Sequence, residues 1–320
     1  MSITAFSLNE IGGRKNVEDA IMPKSFNAQQ PKLFIVCDGV GGSSFGEVAS
    51  ELATKSYYEK FATANIQSES EFKNLLNESL KLFQQRVANF IEENPSAAST
   101  STTLTLLALS NNKAYLAWCG DSKIFHLRNG IPVYKTQDHS LVAELVAQGV
   151  ITEAEAESHP QRNIITRSLN ANTKNTDVST MILTDVQKED WFLLCTDGLM
   201  EQFTESMFPA ILGKFNANTN YSELIDKICY GKTKDNYSMY LVHINDAPAK
   251  GKSKTTFLLL ALLILSAGGW FAYSQWFNTS EAATSPIEEP EVKSIMMEKP
   301  SNTDTSVSDS SKTIVKDSIK

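Results

Sequence analysis

The sequence predicts a mixed α and β domain over residues 1–246, then one membrane-spanning helix and a polar tail. Three observations predict it. Short apolar runs bounded by Gly, Asp or Asn alternate with longer segments that carry a single apolar stripe. An uncharged apolar stretch lies beyond all of them. The residues after it are rich in Ser, Thr, Pro and acid.

Taken in order, the apolar runs at 32–37, 102–109, 113–119, 123–128, 191–195 and 237–244 predict strands. Helices are predicted from Gly46 to about Phe61, and again where Phe72, Leu75, Leu76, Leu80, Phe83, Val87 and Phe90 recur at three- and four-residue steps. A third covers 141–149. Thr152 and Glu155 form a capping-box pair that starts a fourth.

Residues 257–273 read FLLLALLILSAGGWFAY without a charge, a length at the short end of a bilayer span. Lys250, Lys252 and Lys254 precede it, and Trp270, Tyr273 and Trp276 crowd its far end. Lysine-rich flanks stay cytoplasmic. The organisation expected is therefore a cytoplasmic domain at 1–246, a basic linker at 247–256, a membrane helix at 257–276 and a disordered extracytoplasmic tail at 277–320. The N-terminus lacks the basic and apolar regions of a secretory signal.

The net charge of −8 argues against nucleic-acid binding. Cys37, Cys119, Cys195 and Cys229 form no C-x-x-C pair, so they read as buried free thiols in a reducing compartment. The four histidines have no metal-ligand spacing, and neither a P-loop nor a nucleophile elbow is present.

The acids fall in a pattern. Asp38 and Asp197 each end an apolar run and precede a glycine. Asp121 ends a third run, and Asp235 stands just before a fourth. Glu18 and Asp19 follow Arg14 near the N-terminus. An Asp-Gly after a strand is often only a hairpin turn. Carboxylates gathered at strand ends would instead repel one another unless a divalent cation joined them, and all-oxygen donors favour Mg2+ or Mn2+. The glycines would let the backbone turn sharply and come close to a metal or its waters. An arginine there suits a two-point grip on phosphate.

GGRKNVEDA at 12–20, FIVCDGVGG at 34–42, STTLTLLAL at 101–109 and WCGDSKIFHLRNG at 118–130 continue into DHSLVAEL from 138, DWFLLCTDGL at 190–199 and KDNYS at 234–238. In this order the chain resembles the metal-dependent protein serine/threonine phosphatases of type 2C, especially the compact bacterial members. The resemblance implies a four-layer α-β-β-α sandwich of two antiparallel sheets, with the site at one end. It implies that Asp38 bridges two Mn2+ or Mg2+ ions and that the Gly39 carbonyl reaches one. Asp197 and Asp235 would ligate the other. Glu18 and Asp19 would hold metal-bound waters, and Asp121 with Asp197 a third, weaker ion. Arg14 would bind the substrate phosphate.

The reaction implied is hydrolysis of phosphoserine or phosphothreonine in proteins by a metal-activated water. The membrane helix, by confining the enzyme to the membrane surface, makes a membrane serine/threonine kinase and its substrates the expected partners. A decayed module that only binds phosphoproteins is the alternative, and it would be marked by loss of the core acids. Four positions depart from the family pattern: Val17 replaces the usual Asn, Lys123 an Arg, Ser101 a Gly, and Val40 the His of many eukaryotic members.

Overall fold

The computed structural model describes residues 1–40, 45–172 and 176–246, together with residue 270. The chain divides into two units, 1–251 and 252–320. The predicted linker, membrane helix and tail lie outside the described residues, Trp270 apart. Among the described residues no helix is long and apolar enough to cross a membrane.

The strands of the first unit are β1 (Ser2–Glu10), β2 (Ala20–Met22), β3 (Leu33–Cys37), β4 (Gly39–Val40), β5 (Ser101–Thr102), β6 (Leu104–Ser110), β7 (Lys113–Cys119), β8 (Lys123–Arg128), β9 (Ile131–Lys135), β10 (Leu169–Asn170), β11 (Ser179–Leu183), β12 (Trp191–Cys195) and β13 (Tyr237–Asp246). The α-helices are α1 (Gly46–Phe61), α2 (Glu69–Glu93), α3 (Leu141–Ala147), α4 (Glu153–Glu157), α5 (Asp197–Met200), α6 (Phe208–Leu212) and α7 (Tyr221–Cys229). One five-stranded sheet runs β1-β13-β12-β8-β9 and the other β11-β7-β6-β3-β2, while β10-β5-β4 form a small third sheet. Neighbouring strands in all three pair antiparallel.

Side-chain alternation sorts the strands into layers. Phe34 and Val36 of β3, Leu107 of β6, Leu116 of β7, Phe192 and Leu194 of β12 and Val242 of β13 share one core between the two large sheets. Their sequence neighbours face outward. Leu33, Ile35 and Cys37 pack with Ala53, Tyr57, Phe72 and Phe83 of α1 and α2. Leu193, Cys195 and Leu241 pack with Phe208, Tyr221 and Ile225 of α6 and α7. Three cores between four layers are the α-β-β-α sandwich that the family resemblance implied. Strands buried on both faces read as unbroken apolar runs, and for that reason β3, β7, β8 and β12 were legible in the sequence.

The predicted Thr152–Glu155 capping box forms on α4, and Ser68 with Glu71 closes a second one, not read from the sequence, on α2. The run expected as one strand at 102–109 is split at Thr103 into β5 and β6. The Thr103 amide leaves the sheet to donate to the Asp38 carbonyl at 2.8 Å. All four cysteines are buried free thiols, as expected.

Phe34 is fully buried at the centre of the inter-sheet core, with its ring centroid 5.1 Å from Phe26 and 4.9 Å from Tyr240. Replacing Phe34 with Ala is expected to cost about 3–5 kcal/mol, read as a lower urea midpoint. A cost under about 1 kcal/mol would mean that this layer is not close-packed.

Candidate active site

Strand register gathers the acids. Ala20 of β2 faces Cys37 of β3, so Asp19 and Asp38 stand at the same end of one sheet. Leu104 faces Cys119, which brings Thr103 and the turn carrying Asp121 to that end. In the other sheet Cys195 faces both Lys123 and Met239, placing Asp197, Asp121 and Asp235 together. The turn Gly120–Ser122 joins β7 to β8 and so links the two sheet ends. Gly120 takes the left-handed φ of 101° that this turn requires.

The backbone around Asp38 is held on both sides. Thr103 Oγ1 accepts from the Asp38 N–H at 2.9 Å, and Thr102 Oγ1 donates to the Asp38 carbonyl at 2.7 Å. Thr103 Oγ1 also lies 2.7 Å from Ser122 Oγ, tying this pair to the turn beside Asp121. Asn236 is a second anchor. Its Oδ1 accepts from the Glu18 amide at 2.8 Å, and its Nδ2 donates to the carbonyls of Ile11 and Asn16 at 2.7 and 2.9 Å. The loop 11–18 is thereby pinned to the start of β13. Thr196 Oγ1 donates to Asp19 Oδ2 at 3.0 Å, joining the two sheets. The sequence reading assigned no role to Thr102, Thr103, Thr196 or Asn236. The available signal was their place within the segments that carry the family resemblance, at 101–109, 190–199 and 234–238.

The glycines meet the expectation in part: close approach is found, against neighbouring backbone, and the turn is not. Neither Gly39 nor Gly198 has a left-handed φ, so neither makes the sharp turn predicted. A Cβ on Gly39 would fall 2.4 Å from the Gly46 backbone, and one on Gly198 would fall 2.0 Å from the Asn236 carbonyl. Their function is close backbone approach. The hairpin alternative also fails, because Asp197 and Gly198 open α5 and Gly39 starts β4.

The acids stand close enough to perturb one another. Burial pushes the Asp38 carboxyl well above the usual range, and Asp19, Asp197, Asp121 and Asp235 add repulsion. Asp19 is pushed up to about 7 by burial, with Asp197 and Asp235 adding to it against hydrogen bonds from Ser238 and Thr196. Asp121 is also raised to about 7, by burial and then Asp197, although Lys123 opposes this. Asp197 and Glu18 are raised by desolvation first. Among the described residues no three His, Cys, Asp or Glu side chains already form a metal-ready cluster. The donor set nonetheless fits a hard cation: every acid is an oxygen donor, and the buried Asp121 Oδ1 has no hydrogen-bond partner.

Arg14 reaches this cluster but does not stand free. Its Nη2 lies 2.5 Å from Asp235 Oδ2. Lys123, read as structural, is ion-paired with Asp138 and donates to the Asp121 carbonyl at 3.3 Å. Ser101 is a backbone position in β5, paired with Val40 and Asn170, and a serine is accommodated there.

The family model described as protein phosphatase 2C matches residues 11–225. The chain is 31% identical over 236 residues to a protein phosphatase 2C-type protein of Streptococcus pyogenes, covering 73% of this chain and 94% of that one. It is 31% identical over 229 residues to the serine/threonine phosphatase stp of Listeria monocytogenes, covering 71% and 89%. The serine/threonine phosphatase structure from S. agalactiae superposes with a TM-score of 0.65 at 27% identity, over 76% of this chain and all of that one.

Raised carboxyls mean that the folded chain, without a cation, binds more protons than the unfolded chain from about pH 4 to about pH 7. Stability is then gained as pH falls through the folded values and lost as it rises. His139, pushed down to about 4 by burial and Arg167, adds an opposing slope only below about pH 6.5. In EDTA the chain is expected to melt a few degrees higher near pH 6.5 than near pH 8, by about 2–4 °C per kcal/mol. Excess Mn2+ is expected to abolish that difference. A flat melting profile in EDTA would contradict the crowded-carboxylate account.

Proposed function

The chain belongs to the protein phosphatase 2C family and is a protein serine/threonine phosphatase, and we propose that it hydrolyses phosphoserine and phosphothreonine in proteins with two divalent cations, Mn2+ or Mg2+, and a third held more weakly. The observation that carries this reading is the convergence of Asp19, Asp38, Asp121, Asp197 and Asp235 at one end of the sandwich, each close enough to perturb another. Asp38, the Gly39 carbonyl, Asp197 and Asp235 would hold the two cations. Glu18 and Asp19 would hold their waters, and Asp121 with Asp197 would hold the third ion. When bound, the cations supply an activated water and offset charge developing on the phosphoryl group.

The remaining work falls to the chain's own residues. Arg14 offers a planar pair of donors to phosphate oxygens, which orients the phosphoryl group. Thr102 and Thr103 fix the Asp38 backbone, so its carboxylate needs little reorganisation during the reaction. Asn236 keeps the Arg14 loop against the Asp235 segment. Val40 follows Gly39, so no imidazole at that position donates a proton to the leaving group.

The tether belongs to the same proposal. The uncharged run at 257–273, with lysines before it and acids after it, supports a single membrane helix and a cytoplasmic catalytic domain. Anchoring raises the effective concentration of the enzyme toward membrane-bound substrates. A eukaryotic-like membrane serine/threonine kinase and its targets are therefore the partners we propose.

Two measurements test this. The chain is expected to hydrolyse a phosphothreonine peptide with Mn2+ and to be silent in EDTA, and Asp38→Asn should lose at least about 100-fold in kcat. A folded chain inactive with any divalent metal would favour the phosphoprotein-binding alternative. In fractionated cells the full chain is expected in the membrane pellet and residues 1–246 in the soluble fraction. A soluble full-length chain would remove the tether.

A further inference from the structure

Arg14 carries two assignments that compete for its guanidinium. A two-point grip on phosphate that uses Nη2 needs that N–H turned to the substrate, yet here Nη2 lies 2.5 Å from Asp235 Oδ2. Asp235 is also one of the acids that would hold a cation. The contact is built into the backbone. A Cβ on Gly12 would fall 1.9 Å from the Asp235 carbonyl, and one on Gly13 would fall 2.8 Å from that of Lys234. The loop carrying Arg14 thus lies directly on the segment carrying Asp235. Asn236 holds the same loop through Ile11 and Asn16. With both backbones fixed, the Arg14 side chain is the part able to move.

Charge explains why it rests there. Strand register sets Asp19, Asp38, Asp121 and Asp197 at the same end of the sandwich as Asp235, so a cation at this edge faces the whole group. Exposure explains why it can leave. The Arg14 and Asp235 side chains are 50% and 31% exposed, and ion pairs this open are readily exchanged.

We infer that Arg14 is a placeholder cation, which occupies Asp235 while the divalent ions are absent, is displaced when they bind, and only then becomes free to take the substrate phosphate. The inference rests on the two-cation reading proposed above. It makes metal loading and phosphate binding sequential. It also makes the site's apparent metal affinity lower than its carboxylates alone would give, because each loading event must displace an internal competitor.

The test is Mn2+ binding to the full-length chain by isothermal titration calorimetry, comparing wild type with Arg14→Ala, Arg14→Gln and Lys15→Ala. Lys15 neighbours Arg14, is exposed, and forms no ion pair among the described residues, so its removal controls for a general change in charge. Both Arg14 variants are expected to bind Mn2+ about fivefold tighter than wild type. Lys15→Ala should change the affinity by less than about twofold, because charges well separated in solvent are screened. Equal affinity in all four chains, weaker binding by the Arg14 variants, or an equal gain in Lys15→Ala would overturn the placeholder role while leaving the two-cation site standing. Absence of Mn2+ binding in all four would overturn both.

Discussion

Repulsion among carboxylates is the constraint on which the rest of the active end depends. Burying several acids at the tips of adjacent strands opposes folding through desolvation and like charge together. The chain accepts that cost only where its scaffold is strongest. The three apolar cores lie immediately behind the site, and the strands bearing the acids are buried on both faces. The raised protonation of Asp19, Asp38 and Asp121 records the same conflict. A scaffold of this kind fixes the strand ends that carry the acids, and pre-positioning is what a phosphoryl-transfer site requires.

Much of this was legible in the sequence, for physical reasons that also mark its limits. Strands β7, β8 and β12 were visible because burial on both faces writes an unbroken apolar run. Edge strands β1, β9 and β11 were not, because an edge strand mixes small and polar residues among the apolar ones and its pattern fades. Helix α6 is too short to build a periodic stripe, whereas α7 carries one, Tyr221, Ile225 and Cys229 at four-residue steps, and was missed all the same. Asp38, Asp121, Asp197 and Asp235 stood out by their places at the ends of apolar runs, and the family resemblance is what made them, with Glu18 and Asp19, a single candidate site. Their convergence was not, since strand order and register are properties of pairing between segments far apart in the chain.

The supporting residues show a different limit. Thr102, Thr103 and Asn236 act through single hydrogen bonds to backbone atoms that are remote in sequence. Nothing in their own neighbourhood announces such a partner. The glycines make the same point. Gly39 and Gly198 were expected to turn the chain and come close to a metal, yet what they supply is the absence of a Cβ where two backbones meet. From sequence alone a turn glycine and a contact glycine look alike. Only the neighbouring segment separates the two uses.

The site therefore divides into a fixed part and a movable one. Asp38 is locked at both its amide and its carbonyl, at the buried junction of two sheets. Arg14 and Asp235 face each other at the rim, half in solvent, on loops whose backbones are packed but whose side chains are not. That division suits the chemistry proposed. Groups that must hold a constant geometry through bond-breaking belong where packing forbids motion. Groups that must admit and release a charged partner belong where exchanging one ion pair for another is nearly neutral in energy. Moving Arg14 inward would strengthen its hold on Asp235 and make the exchange costly, and moving Asp38 outward would loosen the one contact that both cations would share. The placement of each residue follows from which of these two errors it has to avoid.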